Sequence, residues 1–428
     1  MLDIRFIREN EETVKKDLEK RHDKEKLRWV DDLLNKDEEY KKLLQENQDL
    51  RHKRNNLTQE INKLKKEKKD ISKVIKEAKE LPDKIKESEE KIQDLQKKIN
   101  YYLMRLPNIL HKSVPVGKDD SENKEIKRWG TIPKFDFELR SHGELIEELG
   151  LADFDQAAKV AGKGFYYLIG DLALMEQALQ RLAIDFLTQN DYKLVEPPLM
   201  LRRKPYEGVT DLADFETMMY KVEGDNEDLF LIATSEHPIG ALMMNKVLEK
   251  DQLPIRYVGV SPCFRKEIGS HGIDEKGLFR VHQFNKIEQF IFCDPEDSWK
   301  FHEELIKNAE TLFQKLKLPY RIVNICTGDI GIVAAKKYDL EVYMPREKTY
   351  KEAVSCSNCT SYQSVRLNIK QRIGEKKEYI HTLNSTAIAT GRALRAIIEN
   401  YQQKDGSIKV PTVLQKYMNN KKVIGKND

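Results

Sequence analysis

Along the first hundred residues the apolar positions keep to one stripe. Leu43, Leu50 and Leu57 stand seven apart, and Ile61, Leu64, Ile71 and Val74 continue at helical steps. After Leu81 the stripe resumes with Ile85, Ile92, Leu95, Ile99, Leu103 and Leu106. Steps of three, four and seven hold side chains on one helix face, and over several heptads they make a coiled-coil seam. As a single helix, some 70 residues would run about 105 Å. The stripe lapses over residues 65–70, KKEKKD, and this lapse predicts the tip of an antiparallel hairpin. Pro82–Asp83 competes as the break. Shorter amphipathic helices over 7–20 and 24–34 precede the arm.

The pattern changes after Leu106. Pro107, Pro115, Gly117 and Pro133 mark a linker. From about residue 130, helices over 172–189, 298–316 and 391–401 alternate with short β-rich runs. Strands are predicted at 193–200, 229–233, 255–260, 284–292, 321–325, 340–343, 365–369 and 379–383. Pro197 and Pro198 place the first of these at an edge. Few strands are joined by helical crossovers, so the body reads as an antiparallel sheet flanked by helices, an α+β fold. The expected organisation is a helical domain over 1–110, a linker over 111–130 and a body over 131–428.

Charge sharpens this picture. Of 428 residues 34% are charged, yet 75 Lys and Arg against 72 Asp and Glu leave a net charge of +3. Such a fraction, above the usual quarter, suits an elongated, solvated part. Residues 51–79 hold eleven Lys or Arg and four Asp or Glu, a local +7. A basic rod fits a polyphosphate backbone, although Lys-rich outer faces also simply keep a coiled coil in solution. No run of 18 apolar residues occurs, the start lacks a signal core, and five cysteines are too few for a disulfide framework. The chain reads as cytoplasmic.

The usual nucleotide signatures are missing: neither GxxxxGK[ST] nor a GxGxxG after a strand occurs. The densest cluster is CFRKEIGSHG, then GLFRVHQFNKIE, spanning Cys263 to Glu288. Two arginines (Arg265, Arg280), an acid (Glu267) and a ring (Phe284) at the base of a hairpin could clamp phosphates and stack a base, or form a salt-bridged hairpin. A third piece, NSTAIATGR from Asn384 to Arg392, is a small-residue run entering a helix. Cys356 and Cys359 form a lone CxxC, which is half of a closed zinc site.

Together these pieces resemble the three signature motifs of class II aminoacyl-tRNA synthetases: the Pro-bearing strand near residues 192–200, the FRKE…GLFRVHQF hairpin, and STAIATGR. The whole chain resembles the seryl-tRNA synthetase family, through TSEH, CTGDIG, YDLEVYMP, SCSNCTSYQSVR and HTLNS as well as the N-terminal arm. The STAIAT form resembles the archaeal branch, where other members carry glycines at Ser385 and Ala387. SYQSVR replaces a more usual Asp, aromatic, Gln, Ala, Arg, Arg run.

The resemblance implies serine activation by ATP and Mg2+, then transfer to tRNA(Ser), with tRNA(Sec) left open as a second acceptor. It assigns catalytic roles to Arg265 on the α-phosphate, Glu267 on the adenine amino group and Arg392 on the γ-phosphate. The ATP set adds Lys266, Arg280, Val281, Phe284, Glu352, Ala353, Val354 and Ser355. Glu352 and Ser355 would hold the metal. Thr234, Ser235, Glu236, Arg265, Glu288, Asn384 and Thr386 would surround serine. CxxC belongs to the family pattern without zinc. The resemblance further implies a homodimer in which the arm of one subunit serves the other's active site.

Two other readings remain at this point. A ligase charging a carrier protein would, by resemblance, lack the long arm. A non-catalytic RNA-binding coiled coil would have lost the clamp, whereas Arg265, Glu267 and Arg392 are all present.

Overall fold

The computed structural model describes residues 1–211, 217–224, 227–267 and 277–425. The loop IGSHG of the hairpin motif lies outside them. The chain divides into two compact units, Leu2–Leu106 and, apart from Met1, Pro107–Asp428.

The first unit is helical. Helix α1 (Ile4–Glu9) and α2 (Glu11–Lys20) meet at Asn10, which splits the single helix expected over 7–20. Helix α3 (Lys24–Lys66) does not stop at residue 34; it runs on into the arm for 43 residues, about 65 Å at 1.5 Å per residue. Helix α4 (Ser72–Leu103) returns beside it, so the turn occupies the KKEKKD lapse. Pro82 lies inside α4 without ending it. Leu57, Leu81, Ile85, Leu95, Ile99 and Leu103 are buried along the seam. Polar groups are buried with them, among them Ser88 and Asn47, whose Nδ2 donates to the Ile85 carbonyl at 3.3 Å. Ion pairs Arg51–Glu89 and Lys53–Glu77 flank the seam and confirm the antiparallel register.

The second unit is built on one eight-stranded sheet. In chain order its strands are β1 (Lys124–Trp129), β2 (Lys193–Val195), β3 (Ile255–Phe264), β4 (Gln283–Cys293), β5 (Tyr320–Asn324), β6 (Lys336–Met344), β7 (Thr349–Asn358) and β8 (His381–Ala389). The spatial order is β1-β5-β6-β7-β8-β4-β3-β2. Every pair is antiparallel except β2 on β3. Edge strand β1 falls inside the stretch read as a linker, because Lys124–Trp129 pairs with β5. Asn108 likewise ties the start of this unit down, donating to the carbonyls of Val333 and Cys359 at 2.9 and 2.8 Å.

Helices α5 (Gly170–Thr188), α7 (Ser298–Lys315) and α9 (Thr390–Tyr401) cover one face of the sheet and bury the main core. Short helices α6 (Glu236–Ala241) and α8 (Tyr362–Leu367) lie with the other face. The α8 segment corrects the strand expected at 365–369. Val365, Leu367 and Ile369 alternate, but three residues cannot distinguish a strand from a helix end. Asn368, at φ 53°, caps the helix in the left-handed region that Asn tolerates. The 193–200 strand also shortens: β2 stops at Val195, before the two prolines, and stands at the sheet edge as they require.

Candidate active site

A cavity of about 380 Å³ opens on the sheet face opposite the main helices. Strand alternation decides which side chains reach it. From β4 come Phe284, Lys286 and Glu288, at steps of two, while Ile287 and Ile291 face the core. From β7 come Ser355 and Ser357, while Val354 and Cys356 face the core, and a register shift at Ala353 brings Glu352 to the cavity as well. From β8 come Asn384 and Thr386, the latter in register with Glu288. Of the residues expected around ATP and serine, Thr234, Glu236, Arg265, Phe284, Glu288, Glu352, Ala353, Ser355, Asn384, Thr386 and Arg392 line this one space.

The remainder lie elsewhere. Ser235 is fully buried behind the wall, where Gly259 lets α6 approach β3; a Cβ at Gly259 would meet the Ser235 Oγ at 2.7 Å. Val354 packs in the core and Val281 is buried. Lys266 turns into a neighbouring basic cavity with Arg202, Lys204 and Lys221. Glu267 and Arg280 form an ion pair at 3.6 Å. Strand β3 ends at Phe264, so Arg265 and Glu267, two residues apart, lie beyond it and do not share a strand face. Glu267 instead takes a left-handed φ of 45°. Arg280 and His282 precede β4, which begins at Gln283.

Two sets of contacts fix the arginines. The Arg265 guanidinium sits 5.2 Å from the Phe284 ring centre, and the Arg265 main-chain N–H donates to the His282 carbonyl at 2.9 Å. Phe279 lies between Arg392 and Arg395, at 5.1 and 5.0 Å. Arg395 is itself held by Glu399 at 2.8 Å and by Glu347. His142 accepts the Leu278 N–H at 3.1 Å, so the return of the hairpin is anchored before it reaches Phe279. Glu176 of α5 accepts from Thr390 Oγ1 and Asn285 Nδ2, at 2.6 and 3.1 Å, and joins the start of α9 to β4.

One end of the cavity holds two ion pairs and the other, acidic, end holds two buried carboxylates. At the first, Arg392 pairs with Glu352 at 3.0 Å, and Lys337 pairs with Asp339 at 3.2 Å. Burial pushes the Asp339 carboxyl up, against the pull of Lys337, and its Oδ1 is buried without a hydrogen-bond partner. At the second, Glu236 Oε1 accepts from Gln363 Nε2 and Asn384 Nδ2, at 2.9 and 3.0 Å. Burial, then the charge of Glu288, pushes Glu236 up to about 7. Burial likewise raises Glu288, whose carboxylate lies 2.6 Å from the Lys286 ammonium. The sequence reading missed Lys286, Lys337, Gln363 and Cys359. Lys286 was legible as the middle member of the alternating Phe284–Glu288 face; Cys359 and Gln363 stood in the CxxC and the SCSNCTSYQSVR run, but nothing local tied them to the cavity or to Glu236. Cys356, the other half of the CxxC, faces the core rather than the cavity.

An antiparallel sheet with an arginine clamp on one face is the architecture of one enzyme class. Residues 220–401 match the family model described as the tRNA synthetase class II core domain (G, H, P, S and T), so the body is a class II aminoacyl-tRNA synthetase core. Residues 1–110 match the Seryl-tRNA synthetase N-terminal domain. A serine–tRNA ligase of Methanocella arvoryzae is 61% identical over 98% of this chain and 99% of its own. The crystal structure of seryl-tRNA synthetase from Pyrococcus horikoshii complexed with ATP superposes with a TM-score of 0.92, at 48% identity and full coverage of both chains. The cytoplasmic serine–tRNA ligase of Naegleria fowleri in complex with AMP gives 0.88, at 34% identity, covering 100% of this chain and 99% of that one. The chain belongs to the seryl-tRNA synthetase family.

Proposed function

We propose that the cavity activates L-serine with ATP and passes the seryl group to tRNA(Ser). The observation that carries this is the presence, in one cavity, of two arginines, Arg265 and Arg392, with two buried carboxylates, Glu236 and Glu288. Attack of the serine carboxylate on the α-phosphorus forms an O–P bond and expels pyrophosphate. A terminal tRNA hydroxyl then attacks the seryl carbonyl and AMP leaves. In the first step two anions meet, so fixed cations aimed at the developing charge carry the catalysis.

Arg265 faces the α-phosphate and Arg392 the γ-phosphate. Phe284 stacks adenine, Glu267 reads its amino group, and Arg280 steadies the triphosphate. Val281, Ala353 and Val354 complete the nucleotide surround, the valines from main-chain positions; Lys266, whose side chain turns to the neighbouring cavity, joins them only through its main chain. Glu288 takes the serine ammonium, with Glu236 and Thr386 near the hydroxyl and Thr234, Ser235 and Asn384 around them. Alanine would leave those buried acceptors unpaired, which gives discrimination.

The Glu352 carboxylate and Ser355 hydroxyl both line the cavity and are hard oxygen donors of the kind Mg2+ prefers. Two protein donors fit an ion that keeps water and phosphate oxygens for its remaining positions. When bound, Mg2+ supplies charge neutralisation on the triphosphate.

The arm carries the basic tract and serves as the tRNA reader. Edge strand β2 leaves Leu194, with Leu199 and Met200 beyond it, exposed, which supports a two-fold pairing there. In that homodimer the arm of one subunit serves the other's active site. Among the described residues no helix is long and apolar enough to cross a membrane.

The test is serine-dependent ATP–pyrophosphate exchange, with threonine, alanine and glycine as controls. Absence of stimulation by serine sinks the reading. A monomer by light scattering sinks the dimer alone.

A further inference from the structure

The motif readings leave two cavity-lining cations without a role, Lys286 and Lys337, and of these Lys286 pairs with a carboxylate assigned to serine. Lys286 lies between Phe284 and Glu288 on the cavity face of β4, its side chain 8% exposed. Its ammonium lies 2.6 Å from Glu288 Oε2, whose side chain is 2% exposed. Charges this deep persist only in pairs, and removing one partner strands the other. The pair is therefore neutral as a unit and sits in the wall of the cavity.

An amino acid arrives as a zwitterion, and its ammonium competes for the same carboxylate. If the substrate took Glu288 and Lys286 gained nothing, a buried ammonium would be left unpaired. The only negative group the substrate brings is its α-carboxylate, on the carbon next to the ammonium. Exchanging one internal pair for two crossed pairs, ammonium on Glu288 and carboxylate on Lys286, strands no charge and leaves the net charge of the cavity unchanged. Lysine suits this exchange, since its ammonium is a rotatable point charge on a flexible stem.

We propose that Lys286 is a specificity-determining residue that holds Glu288 in the free enzyme and reads the α-carboxylate of the incoming amino acid. This rests on the assignment of the acidic end of the cavity to serine. The consequence is selection for a complete zwitterion: an amine lacking the carboxylate must break the Lys286–Glu288 pair and return nothing.

The experiment compares L-serine with 2-aminoethanol, which is serine without its carboxylate, on the full-length wild type and on Lys286→Met, Lys286→Gln and Lys286→Arg. Serine KM, ATP KM and the inhibition constant of 2-aminoethanol are read from pyrophosphate exchange, with circular dichroism as the check on folding. Lys286→Met and Lys286→Gln should raise the serine KM by about 30-fold, the scale of one charged hydrogen bond. ATP KM should stay within about twofold and the 2-aminoethanol constant should hold or improve, because no internal pair then needs breaking. Lys286→Arg should keep most of the preference for serine. Equal weakening of serine and 2-aminoethanol would reduce Lys286 to a prop for Glu288 and overturn the proposal. So would an unchanged serine KM, or failure of all three variants to fold. If the wild type itself shows no exchange with serine, the functional reading fails instead.

Discussion

Arg392 grips Glu352 twice: its Nη1 lies 3.0 Å from the carboxylate Oε1 and donates to the main-chain carbonyl of the same residue at 3.1 Å. The residue that would hold the metal and the residue that would hold phosphate thus neutralise each other across the α9–β7 junction. Burial alone would raise the Glu352 carboxyl, but Arg392 and then Lys337 pull it below the usual carboxylate range. Its side chain is 41% exposed, so water screens part of this pull.

Substitution of either partner should separate two roles. Glu352→Gln and Arg392→Ala should each lower kcat/KM for ATP in pyrophosphate exchange by about a hundredfold, the scale of one lost electrostatic contact in a transition state. Raising Mg2+ should recover part of the Glu352→Gln loss and none of the Arg392→Ala loss. Equal recovery in both would remove the metal role from Glu352.

Glu236 should make serine binding depend on pH near neutrality. Burial first, and Glu288 second, raise it to about 7 from 4.5. The substrate ammonium favours the ionised form, so serine affinity should rise between pH 6 and 8, with proton release at pH 7. Calorimetry in buffers of different ionisation enthalpy measures that release, and Glu236→Gln should abolish it. For stability the sign is opposite: a raised folded pKa means the folded state holds its proton more tightly. The Glu236 contribution is therefore present below about 4.5 and lost as pH rises through about 7.

The entry into α9 should tolerate no side chain at residue 391. A Cβ on Gly391 would meet the Leu278 carbonyl oxygen at 2.5 Å, a main-chain atom that cannot swing aside. Gly391→Ala should destabilise by about 1–3 kcal/mol, as overpacking does. Because Leu278 precedes Phe279, exchange activity should fall with stability. An unchanged melting temperature would show that the two segments can separate at no cost.

Neutralising the arm should affect charging and spare activation. Replacing Lys63, Lys65, Lys66, Lys68 and Lys69 by alanine removes five charges around the turn between α3 and α4. Aminoacylation KM for tRNA should rise at least about tenfold and its salt dependence should flatten, since fewer counterions are released. Pyrophosphate exchange should stay unchanged. A matching loss in exchange would assign these lysines to folding instead.

How far the sequence could be read followed the range of the interactions involved. The arm was legible to its turn because helix periodicity is local: the lapse at KKEKKD falls where α3 gives way to α4. The same periodicity gave no reason to stop α3 at residue 34, and the helix continues. The short apolar run at 365–369 misled because its helical state is set by Asn368 and by packing against Val209 and Phe290, over 70 residues away.

The sequence by itself determined the helical arm and the α+β character of the body, since these rest on local periodicity, and it offered the clamp residues only through the motifs that resemble the class II family. Tertiary structure decided which of them share a space. Pairing of β4 with β8 sets Glu288 opposite Thr386, and the approach of α6 and α8 sets Glu236 against Asn384 and Gln363. The Lys286–Glu288 pair and the raised Glu236 exist only once burial has removed water from around them, because desolvation belongs to the packed interior and to no stretch of sequence.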